Sequence, residues 1–171
     1  MIVYYYTNAQ TKDGEQKDPK KSLGGFVSST PVPNSRIGNL FGNLSAIALQ
    51  NGEERIIAVA AKNIGTTDLS NVTFAVNAPS TEGVEYRFAL VTVEDGVMEQ
   101  IDHFDALPYV ANFLTLGEDI QNNDPQPVIS TLPAGGSIGI WIQRVITASD
   151  SPDCDVSTDI DLNIDIMFAW D

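Results

Sequence analysis

A chain of 171 residues with 43% hydrophobic side chains has the length of one domain and can bury about 70% of the surface its unfolded form exposes. Its 23 acidic residues outweigh 9 basic ones, for a net charge of −14, a field that repels nucleic acid and anionic lipid and so argues against both as partners. Cys154 is the only cysteine, which excludes an intramolecular disulfide and a thiolate metal cluster.

The first residues, MIVYYYTNAQ, lack the basic and apolar regions of a secretory signal. No apolar run approaches the roughly 18 residues that a membrane-spanning helix needs. Ile2 to Thr7 is β-prone and rich in tyrosine. The polar segment that follows gathers Lys12, Lys17, Lys20 and Lys21 around a Gly and a Pro, and reads as an exposed loop or as a basic arm for a neighbour's acidic surface. Residues 1–25 are thus expected to form an N-terminal strand or arm with its loop, and residues 26–171 a β-sandwich domain. In the connector Ser22 to Asn34, a short strand from Phe26 to Ser29 lies between Gly-Gly and Pro-Val-Pro. Ile37, Leu40, Phe41, Leu44 and Ala48 share one helical face, although Gly38 and Gly42 weaken a helix. This stretch predicts a helical or turn-like plug anchored by Leu40 and Phe41.

The organising stretch is EERIIAVAAKNIGTTDLSNVTFAV, Glu53 to Val76. Arg55 to Ala61 reads as a strand covered on both faces, and Asn63 to Asp68 as a turn in which Gly65 is free to take positive φ. Val72, Phe74 and Val76 alternate with Thr73 and Ala75, so a second strand pairs back to complete a central hairpin. After a loop at Asn77 to Gly83, Tyr86 to Val93 is again β-prone, and the turn Glu94-Asp95-Gly96 returns the chain along Val97 to Phe104. Ala106 to Asp119 has no clean period, and Pro108 breaks any long helix. Gln121 to Pro127 is a loop. Leu132 to Gly136 leads into SIGIWIQRVI, with Ile138, Ile140 and Ile142 on one face and Gly139, Trp141 and Gln143 on the other. An acidic loop, Ala148 to Asp155, precedes a strictly alternating final strand, Ile160 to Trp170.

Seven or eight strands at such intervals predict an all-β, antiparallel immunoglobulin-like sandwich. Its expected core is Ile57, Val59, Phe74, Phe88, Leu90, Ile140, Ile142, Leu162, Ile164 and Ile166, with Ile164→Ala costing about 2–5 kcal/mol if that residue is fully buried.

Chemistry is sparse. The single histidine, His103, sits between Asp102 and Asp105, and a catalytic reading needs a nucleophile or metal from elsewhere in the fold. Asp159, Asp161, Asn163 and Asp165 resemble the start of a calcium loop but lack its central Gly and terminal Glu. Their odd positions fit the outer face of a strand, where carboxylates two apart lie about 6.5 Å from one another and repel. Asp153 or Asp155 could join them on an incidental ion. Carboxylates near Cys154 disfavour its thiolate. Tyr4, Tyr5 and Tyr6 could stack on sugars, or pack as an N-terminal strand. No P-loop, Rossmann, Gly-x-Ser-x-Gly or His-Glu-x-x-His pattern occurs. The residues therefore point away from an enzyme and to no catalytic residue, cofactor or metal.

The stretch SLGGFVSSTPVPNSRIGNLFGNLSAIALQNGEERIIAVAAKN, Ser22 to Asn63, resembles small structural proteins of tailed bacteriophages, with their Ser-Leu-Gly-Gly connector, Leu-Phe pair and strand ending in Lys-Asn. LSNVTFAV and LPAGGSIGIWIQRVITA, with a basic exit at Arg144, look like the matching later strands. Beyond Ala106 the resemblance is interrupted. It implies an immunoglobulin-like sandwich built into a virion as a capsid decoration, head–tail or tail component. The partners it implies are other virion proteins, capsid or tail subunits, and further copies in an oligomer or lattice, and it carries no catalytic residues. A carbohydrate- or receptor-binding sandwich is the competing reading, since the fold serves both. A hydrolase using Asp102 and His103 is the weakest.

Overall fold

A computed structural model of the chain describes residues 1–33, 40–42, 46–78, 82–109, 112–148 and 164–171. Its spine is a pair of long strands, β3 (Glu53–Asn63) and β9 (Ser137–Ile146), antiparallel over ten residue pairs from Glu53↔Ile146 to Lys62↔Ser137. On either side lie β1 (Ile2–Asn8), β2 (Gly25–Pro31), β5 (Val84–Thr92) and two-residue strands β6 (Val97–Met98) and β7 (Leu114–Thr115). The resulting seven-stranded sheet has the order β6-β2-β1-β3-β9-β5-β7. A second sheet, order β10-β4-β8, is formed by β4 (Leu69–Asn77), β8 (Gln126–Leu132) and β10 (Asp165–Ala169). Every pairing within the two sheets is antiparallel.

Side-chain alternation on a strand dictates where the core falls. Ile57, Val59, Phe88, Ile140 and Ile142 project from the large sheet onto Phe74 and Val76 of the small one, all nearly inaccessible. Leu90, Ile164 and Ile166 join this core as half-buried residues at its rim, and Leu162 lies outside the described residues. The opposite parity of the large sheet is buried too. Ile56, Ala58, Ala89 and Trp141 lie beneath Met98 and Ile101, with Leu23, Val93, Ala106 and Phe113 packed around them. The apolar run Ile56–Ala61 is therefore covered on both faces, as its composition predicts.

Three expectations are corrected. β3 and β4 do not pair as a hairpin. β4 pairs with β10 and β8 in the other sheet, so residues 64–68 carry the chain from one sheet across to the other, and Gly65 does so without positive φ. The Asp95-Gly96 turn does form, with both residues left-handed (φ 52° and 78°) and Glu94 bridging Val97. The returning Val97–Met98 pairs with β2 and not with β5, and the chain then crosses over the outer apolar face. The helix, α1, spans Ala46–Asn51, later than the plug's periodicity suggests. It ends at Gly52, whose φ of 75° suits a helix C-terminus. Leu40, Phe41, Ala48 and Leu49 are buried against the core, while Ile37 and Leu44 lie outside the described residues.

The chain's start is no detached arm. β1 is hydrogen-bonded between β2 and β3, with Tyr6 in the core and Ile2 and Tyr4 packed on it.

Two buried polar joints hold the architecture. At Ser22-Leu23-Gly24-Gly25, the Ser22 hydroxyl accepts the Thr7 N–H at 2.7 Å and donates to the Ala58 carbonyl. The Thr7 hydroxyl in turn accepts the Gly24 N–H at 2.9 Å, which ties β1, β2 and β3 where β1 ends. Gly24 has φ 88°, and any Cβ there would overlap the Glu99 carbonyl. At the other end, the fully buried Asn63 donates its side-chain amide to the carbonyls of Thr67 (2.9 Å), Leu132 (3.3 Å) and Pro133 (3.1 Å).

Asn63→Ala leaves these carbonyls and the Gly65 N–H without their partner, and denaturant unfolding should register a loss of about 1–3 kcal/mol or more. Ile140→Ala should cost about 2–5 kcal/mol, and Ile164→Ala distinctly less because that residue is half exposed.

Candidate functional site

His103, Asp102 and Asp105 occupy an exposed turn. The His103 Nε2 lies 3.2 Å from Asp105 Oδ1, with both side chains about two-thirds exposed. No buried wall surrounds the pair. Tyr4 and Tyr6 turn inward with β1, and Tyr4 donates its hydroxyl to the Ile166 carbonyl at 2.7 Å, so the tyrosine run offers no triple stacking platform. Cys154, Asp153, Asp155, Asp159, Asp161 and Asn163 lie outside the described residues, and Asp165 is exposed at the start of β10. Among the described residues no group of three or more His, Cys, Asp or Glu side chains is close enough to hold a metal. Among the described residues no helix is long and apolar enough to cross a membrane.

The described residues that depart furthest from ordinary core chemistry form a row across three strands. Arg55 of β3 stands opposite Arg144 of β9, and Arg144 opposite Tyr86 of β5. All three share the parity of Ile57, Ile142 and Phe88, and so face the sandwich interior at the end the small sheet does not reach. Two guanidinium groups side by side repel. One carboxylate offsets this, because Glu53 Oε1 accepts from Arg55 Nε at 2.8 Å and from Arg144 Nη2 at 2.9 Å. Arg144, 2% exposed, also lies under the ring of Phe41, 5.0 Å from its centroid. Arg55 reaches the ring of Phe104 at 5.8 Å. These cation–π contacts clamp the Leu40–Phe41 plug and the outer-face loop to the same charges. On the opposite face Glu54 accepts from the Gln143 side chain. Among the described residues the buried Nε and Nη1 of Arg144 and the buried Tyr86 hydroxyl have no hydrogen-bond partner.

Two depressions flank the plug. A cleft of about 460 Å³ is lined by Tyr6, Pro31, Pro33, Leu40 and Phe41 with Lys17 and Lys20 at its rim. A smaller one of about 90 Å³ lies among Lys20, Phe41, Arg55 and Phe104.

The row was not singled out from sequence, although a signal existed. Arg144 continues the parity of Ile138, Ile140 and Ile142, so a charge was due to point inward. No family model, curated protein or solved structure matches this chain.

Glu53→Ala would leave two facing guanidinium groups, one fully buried, and should cost about 3–5 kcal/mol in chemical denaturation. The double change Glu53→Leu with Arg144→Met removes the buried charge along with its partner and should recover most of that loss. A pH prediction follows from the two inward tyrosines. Burial pushes the Tyr86 hydroxyl up from its ordinary 10.0, opposed by Arg144, and burial pushes Tyr4 up more strongly, opposed by a backbone hydrogen bond. Above about pH 10 the unfolded chain releases these protons while the folded chain keeps them, so stability is full below that pH and falls as it rises. Tyr4→Phe should flatten this alkaline decline in melting temperature.

Proposed function

We propose that this chain is a non-enzymatic structural protein of a tailed-phage virion, an immunoglobulin-like sandwich that coats or joins capsid or tail subunits. The observation that carries this reading is where the phage-like motifs fall. Ser22 and Gly24 knot β1, β2 and β3. Leu40 and Phe41 close the core. Asn63 and the Leu132–Gly136 turn join the two sheets. Every one of these residues serves the architecture and none presents chemistry to a substrate. A resemblance confined to such joints fits proteins that share a building role.

Partners are set by charge. A net charge of −14 disfavours nucleic acid and anionic membrane, and favours protein surfaces that are neutral or basic. Lys12, Lys20 and Lys21 on the 9–21 loop offer a local exception that fits an acidic neighbour, while Lys17 is already held by Glu15 at 2.7 Å. The sugar- or receptor-binding alternative is weakened because Tyr4 and Tyr6, two of the three tyrosines it leans on, are spent on the core, with Tyr5 half-buried beside them. Exposed aromatic surface at Phe104 and Tyr109 keeps it as the second reading.

Quantitative mass spectrometry of purified particles from the source should find the chain in stoichiometric amount. A copy number in the hundreds assigns it to capsid decoration and a handful to the tail or a receptor-binding position. Its absence from particles would overturn the virion assignment.

A further inference from the structure

Sheet edges are where a β protein either guards itself or accepts another strand. The large sheet guards both of its edges by ending in the two-residue strands β6 and β7. In the small sheet, β10 opens with Asp165 and is tied to β1 through the Tyr4–Ile166 hydrogen bond. β8 is different. It runs seven residues, Gln126–Leu132, without a single charged side chain, and among the described residues β4 is the only strand that pairs with it. Ile129 is 40% exposed, and Ser130 and Thr131 are open to solvent beside it. Pro127 has no N–H to donate and the bulge opposite Val72–Thr73 falls at Val128, so the uninterrupted stretch of the strand runs from Ile129 to Leu132.

We infer that the free edge of β8, centred on Ser130, is a strand-pairing site for the β8 of a second copy, which joins two small sheets into one antiparallel six-stranded sheet about a two-fold axis. An edge of unpaired N–H and C=O groups is complementary to an extended backbone. A second copy is the occupant because the two-fold lets one strand present the same residues to itself, and because this neutral strand lets two chains of charge −14 pair without setting carboxylates opposite one another. The inference does not depend on the virion reading, since it concerns the free chain.

The test uses the full chain in solution with Cys154→Ser as background. In an antiparallel pair directly opposed residues lie about 4.5–5.5 Å apart, within the span a disulfide bridges. Cysteine placed singly at Ile129, Ser130 and Thr131 should therefore yield an intermolecular disulfide under mild oxidation at the position on the axis. That reaction should run at least about tenfold faster than for Thr66→Cys on the exposed inter-sheet turn. Analytical ultracentrifugation of the unmodified chain should show a concentration-dependent dimer. Ile129→Lys with Ser130→Lys should abolish it while circular dichroism and melting temperature stay near those of the parent. A chain monomeric up to about 1 mM, cross-linking at none of the three positions faster than at Thr66, would overturn the inference. So would a dimer that the two lysines leave intact, or capture of a different strand in place of β8.

Discussion

One buried carboxamide carries the connection between the two sheets. Of the chain's crossings between the sheets, one runs from large to small between β3 and β4 and another from small to large between β8 and β9. The two crossings lie side by side, because β3 pairs with β9 and β4 with β8. Asn63 sits where they meet. Its side chain holds the carbonyls of Thr67 on one crossing and of Leu132 and Pro133 on the other, and accepts the Gly65 N–H at 3.0 Å. Its backbone exchanges hydrogen bonds with Gly136 and Gly135, both at 2.9 Å. Among side chains only an amide can donate to several carbonyls and accept an N–H at once without burying a charge. If this joint is lost, the registers of both inter-strand pairs lose their common anchor.

The second constraint is the double burial of the large sheet. Its inner face meets the small sheet and the plug, and its outer face meets residues that follow β6. The outer layer explains why β6 is so short. Had Val97 to Phe104 continued back along β5, Met98 and Ile101 would not cover Ala58 and Trp141. The chain forgoes hairpin hydrogen bonds and buries Trp141 completely instead.

Alternation made most strands legible. The parities of β4, β9 and β10 and the inward placement of Ile57, Phe74, Phe88 and Ile142 can be read from the residues alone, and the Asp95-Gly96 turn from its chemistry. Pairing partners could not be read in this way. Asn63 to Asp68 looks like a hairpin turn because local turn chemistry is the same whether the next strand joins its own sheet or the opposite one. Only the packing of Val72, Phe74 and Val76 toward β3 and β9 separates the two cases. The helix escaped placement because Ile37 to Ala48 carries a helical period interrupted by glycines, while α1 begins only at Ala46. The arginine row was legible in principle from parity and was missed because Arg55 and Arg144 sit at strand ends, where charge is ordinarily taken as solvated.

Where the positive charge goes bears on how this protein meets others. Of its basic residues, Arg55 and Arg144 are consumed by Glu53 inside the fold, Arg87 is paired with Glu85 on β5 and Lys17 with Glu15 on the loop. The cations left to face solvent are few and sit mainly on the 9–21 loop, so the outer surface is strongly acidic almost everywhere else. Two copies approaching at random meet repulsion on most orientations, and each exposed pair that did form would contribute only about 0.2–1 kcal/mol. Attraction must then come from contacts that do not use charge. Among the described residues those include the exposed aromatic residues of the outer loop and the uncharged edge strand β8. On an acidic body a neutral seam is the surface where two copies can meet without setting carboxylate against carboxylate, which is how charge narrows the geometries open to association.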